Sequence, residues 1–363
     1  MRTRIYRTVW GLLLTNSFLF ASCLSHNGGA NYIAEPEDYL SITDTVSVTP
    51  NQCTLLSIQP HNIFVIDNYL VIANESRDFV FNVFPLPLTG EGFAAVHFGK
   101  GPGELIDPDY LSIAVDENRF IIADKDDYYK SFSISDDGII PIGQARLYNK
   151  DIQNGIFKLG RKILNNNDDR ASHYYEYVVL NPDGSKDYLG EVPEWDKEIT
   201  MEMNSFYYWN YRVVHPDGKR FAEFYWRFRK VRILDDKGQV LSETSINYPT
   251  PADRVPDSEG IYSAYGGIPC ASKTRIVQFA ENTFLRKKNG DISPRTISEF
   301  QIWDWEGHLL KRFIIKEHLE LFTVDFKSGI FYGIDPNREN IVFTANIRNL
   351  LAGFYSEVQR FEA

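Results

Sequence analysis

The chain reads as an all-β protein, a six-bladed β-propeller of mostly four-stranded antiparallel blades, and three observations point there. The first is a repeat. Phe64-Val65-Ile66-Asp67-Asn68-Tyr69-Leu70-Val71-Ile72-Ala73-Asn74 and Ile113-Ala114-Val115-Asp116-Glu117-Asn118-Arg119-Phe120-Ile121-Ile122-Ala123-Asp124 both run apolar strand, polar turn, apolar strand, and close on Ala-Asn or Ala-Asp. Ala73 and Ala123 lie about 50 residues apart, a period at which self-similarity signals propeller blades. The second is a ladder of turn dipeptides between apolar or alternating runs: Asp137-Gly138, Asp183-Gly184, Asp217-Gly218, Asn289-Gly290 and Glu306-Gly307. The third is composition. Long helical patterns are absent, and a chain of 363 residues, 43% hydrophobic and 14% aromatic, can fill many sheet-to-sheet interfaces without enlarging any one core.

At the start, Arg2, Arg4 and Arg7 precede an apolar run from Val9 to Phe20 that contains Gly11, Thr15, Asn16 and Ser17. The run is too short and too polar to span a bilayer, so residues 1–22 read as a secretory signal peptide. It ends in Phe20-Ala21-Ser22-Cys23, which resembles a bacterial lipobox, with Phe20 where that motif usually has Leu. The resemblance implies lipid attachment at Cys23; the alternative is ordinary cleavage with Cys23 incidental. Residues 23–39, rich in Ser, Asn and Gly, read as a flexible tether, and 40–363 as the propeller. The expected location is the bacterial cell envelope, lipid-anchored at the outer membrane and facing periplasm or exterior, with the anchor as the sole membrane contact.

Unit lengths divide the propeller into blades at roughly 60–105, 106–150, 151–200, 201–250, 251–318 and 319–363. The excess of the fifth, around Arg286 to Arg295, reads as a loop insertion. Ile341 to Asn346 and Phe354 to Phe361 offer inner strands of the last blade, and residues 40–58, with Val46, Val48, Leu55, Leu56 and Ile58, would supply its missing strand and close the ring. Between blades one and two, Gly99, Gly101 and Gly103 are spaced G-x-G-x-G and lead into Asp107-Pro108 and a strand. With no helix N-terminus behind it, the loop reads as a tight crossing and not as a phosphate cradle.

The lipobox, the Gly99-Lys100-Gly101-Pro102-Gly103-Glu104 crossing, the Ile121-Ile122-Ala123-Asp124 strand, and His215-Pro216-Asp217-Gly218-Lys219-Arg220-Phe221-Ala222 together resemble the TolB-like six-bladed β-propeller lipoproteins of Gram-negative bacteria. These motifs are turns and strands, and the resemblance carries over no catalytic residue. Trp303-Asp304 is a single dipeptide, short of a WD40 array.

No linear motif announces chemistry. His26, His61, His97, His173, His215, His308 and His318 show no metal-ligand spacing, Asp124 to Asp127 and Asn165 to Asp169 miss the EF-hand pattern, and there is no G-x-S-x-G, so neither metal nor cofactor is expected. A formal net charge of −11 opposes nucleic acid as partner. Cys53 and Cys270 read as buried free thiols, pairing being the alternative. The richest surface candidate is Phe206 to Arg212 followed by Phe221 to Arg229. If the second run is one strand, Ala222, Phe224, Trp226 and Phe228 face the core, and Glu223, Tyr225, Arg227 and Arg229 face the other way, where they read as inter-blade packing with cross-strand ion pairs or, alternatively, as a ligand-reading wall. Trp209 and Tyr211, with Arg227 and Arg229, are thus candidate ligand contacts for a saccharide or an envelope protein. The expectation is a monomeric binding or scaffolding module; the alternative is a propeller enzyme, lyase or hydrolase, acting on a glycan or peptide.

Overall fold

The computed structural model describes residues 32–34, 42–54, 59–75, 78–89, 91–116, 118–124, 128–135, 138–146, 157–160, 162–167, 175–181, 185–193, 208–246, 264–280, 284–286, 292–294 and 298–352. The signal peptide, Cys23 and the tail beyond residue 352 lie outside them.

Three short strands come first: β1 (Tyr32–Ala34), β2 (Thr43–Val46) and β3 (Thr49–Gln52). Blade 1 follows as β4 (Gln59–Ile66), β5 (Tyr69–Glu75), β6 (Phe79–Pro85) and β7 (Phe93–His97). Blade 2 is β8 (Pro108–Asp116), β9 (Arg119–Asp124), β10 (Tyr128–Ser135) and β11 (Gly138–Arg146). Blade 3 is β12 (Phe157–Leu159), β13 (Lys162–Asn166), β14 (Tyr175–Leu180) and β15 (Lys186–Glu191). Blade 4 is β16 (Asn210–Val214), β17 (Arg220–Tyr225), β18 (Lys230–Asp235) and β19 (Val240–Ile246). Blade 5 is β20 (Tyr265–Ala271), β21 (Ile276–Ala280), β24 (Ser298–Trp303) and β25 (Leu309–Ile315), with a separate hairpin, β22 (Phe284–Arg286) and β23 (Ile292–Pro294), where an insertion was expected. Blade 6 is β26 (Leu321–Asp325), β27 (Ile330–Ile334) and β28 (Ile341–Asn346), followed by the short helix α1 (Arg348–Ala352). Among the described residues no helix is long and apolar enough to cross a membrane.

Six blades therefore stand where the turn spacing put them. Their first strands, β4, β8, β12, β16, β20 and β26, touch in succession, and β26 returns to β4, so these strands ring the central channel. The ring is closed by the N-terminal arm: β3 pairs antiparallel with β28, as expected of residues 40–58, and becomes the outer strand of blade 6. Two details differ from the sequence reading. Ile341 to Asn346 is the third strand of that blade, not an inner one, because β26 and β27 precede it. The arm also does more than close one blade. β2 adds parallel to the outer strand of blade 5, Thr43 opposite Arg312, and β1, inside the stretch read as tether, adds parallel to the outer strand of blade 4, Tyr32 opposite Thr244. Three successive sheet edges are thus paired by short strands from the N-terminal arm.

Both faces of most blades are covered by neighbours, so strands that alternate on paper are apolar on both sides in fact. Phe81, Phe120 and Phe132 are buried between blades 1 and 2, Phe224 and Trp303 between blades 4 and 5, and Phe300, Phe313 and Phe331 between blades 5 and 6. Cys53 is buried and Cys270 half-buried, and both are free thiols.

The glycine-rich crossing is a closed loop. Gly99 N donates to Leu105 O at 2.9 Å, and the carboxylate of Glu104 accepts from Gly101 N at 2.7 Å, so the chain's own anion occupies the donor that a phosphate would need. A Cβ on Gly99 would collide with that carboxylate. Asp124, at the end of β9, accepts from Ile106 N at 3.0 Å, Asp107 N at 2.8 Å and Lys130 Nζ at 2.6 Å, and Lys130 Nζ also donates to Glu104 O. The buried Asp124–Lys130 pair thus clamps the crossing onto blade 2.

Candidate functional site

In antiparallel blades the start of the first strand, the end of the second and the start of the third lie at one end of the ring, here called the mouth. Trp209, Trp226 and the Trp226 to Arg229 connection all belong to that end of blade 4. Trp226 N donates to Trp209 O at 2.9 Å, which brings two half-buried indoles to neighbouring backbone positions, and the Arg227 guanidinium lies 3.8 Å over the Trp226 ring. Phe228 stacks on the buried Tyr208 with ring centroids 5.1 Å apart. Tyr211 lies on β16, half-buried in the channel ring. Of the four candidate contacts, Trp209, Arg227 and Arg229 thus share the mouth of blade 4, and Tyr211 sits just inside it.

The expected strand from Phe221 to Arg229 is shorter than predicted. It ends at Tyr225, because Trp226 to Arg229 forms the connection to β18, and the face assigned to Glu223, Tyr225, Arg227 and Arg229 does not exist as one surface. Glu223 and Tyr225 point into blade 3, and there they build a network that no linear motif disclosed. Glu176, Tyr177, Glu223 and Tyr225 are each 0% exposed. Tyr177 Oη donates to Glu223 Oε1 at 2.5 Å, Tyr225 Oη lies 2.8 Å from Glu223 Oε2 and 2.9 Å from Glu176 Oε1, and Asn210 Nδ2 donates to Glu176 Oε2 at 3.1 Å. Arg232, on β18 opposite Glu223, donates to Tyr225 Oη and to the Glu191 carbonyl, both at 3.1 Å, with Glu223 and Glu176 at 3.7 and 3.8 Å. Burial, reinforced by the two carboxylates, holds the Tyr177 phenol well above its ordinary range; at Tyr225 burial prevails over the opposing field of Arg232. Both stay O–H donors at neutral pH. Arg212, above the rings of Phe157 and Tyr177 and bonded to Asn166 Oδ1, lies on the same interface. The network therefore fixes blade 3 against blade 4 directly beneath the aromatic connection.

Of the other oxygen-rich stretches, Asp124 is held by Lys130 and Asn167 donates to the Tyr175 carbonyl, while residues 125–127 and 168–169 lie outside the described residues. Among the described residues no three His, Cys, Asp or Glu side chains converge as metal ligands. His215 belongs to the β16–β17 hairpin turn, its Nδ1 2.7 Å from Asp217 Oδ1 and its ring edge-on to Trp305, so the His-Pro-Asp-Gly segment joins blades 4 and 5 at the end opposite the mouth. A cavity of about 260 Å³ lined by Thr54, Asn82, Glu91, Gly92 and Phe93 lies by the β6–β7 connection, away from the mouth.

No known family and no curated protein matches the sequence. Solved structures do superpose. A member of the DUF4221 family from Bacteroides vulgatus aligns over 82% of this chain and 95% of its own, at 11% identity and a TM-score of 0.54. A protein described as exported, from Bacteroides fragilis, aligns over 84% and 99% at 13% identity and a TM-score of 0.47. A streptogramin B lyase aligns over 83% and 97% at 10% identity and a TM-score of 0.44. At such identities the likeness is one of fold.

Proposed function

We propose that this chain is an extracytoplasmic propeller of TolB-like type, anchored through lipid on Cys23, which binds a saccharide at the mouth of blade 4. The observation that carries the binding reading is the Trp209–Trp226 pair. Flat indoles at adjacent backbone positions, one with a guanidinium stacked on it, offer a stacking surface with polar edges, and the network beneath holds the backbone from which they rise. A rigid scaffold carrying its contacts on connections is the usual division of labour in such folds. The anchor rests on the Phe20-Ala21-Ser22-Cys23 sequence alone.

A glycan array probed with the full chain and with Trp209→Ala tests the binding. Trp209→Ala should weaken binding by about 1–3 kcal/mol with little change in melting temperature, since Trp209 is only half-buried. A protein partner recovered instead of a glycan, or an unfolded variant, would count against the saccharide reading. Mass spectrometry of the mature N-terminus tests the anchor separately, with acylated Cys23 as the expected result.

A further inference from the structure

The N-terminal arm fixes where the chain joins the ring and in which direction it arrives. β1 lies on the outer edge of blade 4, with Tyr32 opposite Thr244 and Ala34 opposite Ile246. β19 runs towards the mouth: Ile246 N donates to Arg229 O in the mouth connection, while the Asp235 to Gln239 turn closes the other end of the blade, here called the underside. Because β1 is parallel to β19, Tyr32 is its end away from the mouth, and the polypeptide reaches this edge from the underside. Cys23 precedes Tyr32 by nine residues.

Nine residues span at most about 30 Å fully extended, and about 15–18 Å as a random coil. A compact domain of this length is about 50 Å across, so an anchor at Cys23 cannot be reached with the opposite rim, blade 1, set down on a bilayer. From Thr244 to Val240 is about 13 Å of strand, which leaves an extended chain about 17 Å of reach beyond the underside. A mouth-down arrangement would require the chain to double back over β1 from its first residue. Three turns meet at the underside: Lys162 Nζ donates to Asp236 O at 2.6 Å, and a Cβ on Gly218 would stand 2.8 Å from Gly160 Cα. Lys162, Lys219 and Lys237 are matched there by Asp217, Asp235 and Asp236, and Leu241, 46% exposed, is set out of the β18–β19 ladder by a bulge. With the charges offset, the reach and direction of the chain decide which surface approaches the lipid.

We propose that the underside of blade 4, around Lys237 and Leu241, is the surface that faces the lipid bilayer, and that the mouth opens away from it. The proposal rests on the anchor at Cys23 and adds to it an orientation: a ligand of the mouth arrives from the side remote from the membrane, and the anchor does not obstruct it.

The test couples the mature chain through the Cys23 thiol to a maleimide lipid in phosphatidylcholine vesicles; Cys53 and Cys270 do not compete, since burial holds both thiols protonated. A fluorophore is attached through p-azidophenylalanine in place of Lys237, on the underside, or of Ile106, exposed on the crossing at the mouth. Lipids with a nitroxide headgroup should quench the Lys237 label several-fold more than the Ile106 label. Lengthening the tether by about twenty Gly and Ser residues after Gly28 should bring the two signals together, and added salt should change neither. Equal quenching with the natural tether, stronger quenching at Ile106, or a difference that survives the longer tether or collapses in salt overturns the proposal. Mass spectrometry of the native N-terminus keeps the two readings apart: an unmodified Cys23 removes the anchor and this placement with it, whereas the wrong order of quenching on coupled vesicles removes the placement alone.

Discussion

Replacing Arg232 by Met removes the guanidinium from the blade 3–blade 4 network while keeping an unbranched side chain of similar reach. Arg232 is 3% exposed, and its loss leaves Glu176 and Glu223, both 0% exposed, without their facing positive charge, and the Tyr225 hydroxyl and Glu191 carbonyl without a donor. Breaking a buried pair from one side costs about 3–5 kcal/mol, because the surviving buried carboxylates lose their facing cation and keep hydrogen bonds from the neutral Tyr177, Tyr225 and Asn210. Against a total stability of roughly 5–15 kcal/mol this is a large fraction. Glu223→Gln should cost less, about 1–3 kcal/mol, since the amide keeps an acceptor for one tyrosine and relieves one of two buried carboxylates. The double variant Arg232→Met/Glu223→Gln should then cost about 1–3 kcal/mol less than the sum of the singles. Glu243→Gln is the control: at 4.0 Å and with a side chain 27% exposed, it should change stability by under about 1 kcal/mol. Urea denaturation at neutral pH gives all four numbers. A loss below about 1 kcal/mol for Arg232→Met, or strict additivity in the cycle, would refute the view that this network locks the two blades together.

Two further outcomes follow from the arm and the thiols. A chain beginning at residue 55 loses β1, β2 and β3, together with the packing of Val46, Val48 and Cys53 and the Asn51 hydrogen bonds to Val342 O and Thr344 Oγ1, and should be less stable by about 3 kcal/mol or more, while one beginning at residue 31 should melt with the mature protein; equal melting temperatures for the two would argue against ring closure by β3. In a Cys23→Ser chain, burial raises the Cys53 thiol and pushes Cys270 up to about 12, so Ellman's reagent at pH 8 should find no thiol in the folded protein and two after denaturation; a count of zero in denaturant would mean the two pair after all.

How much of this was readable in advance depended on the range of the interaction. Turns and hairpins are local, and Asp217-Gly218 did form the turn its sequence promised, with Gly218 N donating to His215 O at 2.8 Å. Ring closure was readable because an unpaired last strand needs a partner and residues 40–58 were the spare segment. The other two arm strands were not. Tyr-Ile-Ala and Thr-Asp-Thr-Val are too short to show a period, and they add in parallel to edges far away in sequence. For Glu223 and Tyr225, inter-blade packing with cross-strand ion pairs was the expected role and is what the structure shows, but the sequence left it open against a ligand wall for a different reason. Alternation assigns residues to opposite faces of a strand, but it does not say which face meets solvent, and a blade held between two others has no solvent face. The pairing of Glu223 with Arg232 lay within reach of hairpin register, but Glu176 came from another blade and had no local signature.

The repeat itself indicates where chemistry should be sought. At or beside the last position of the second strand, most blades place a polar side chain: Asn74, Asp124, Asn167, Tyr225 and Asp335. The backbone position recurs, but the work differs. Asp124 clamps a crossing, Tyr225 joins two carboxylates, and Asp335 accepts from Asn337 N in its own turn. Each is committed to holding one blade or connection in place, and a side chain so committed cannot also meet a ligand. Recognition should therefore be sought where the blade pattern is broken. Two breaks at the mouth qualify: the Trp226 to Arg229 connection of blade 4, and the paired bulges that bring His61 against Tyr110.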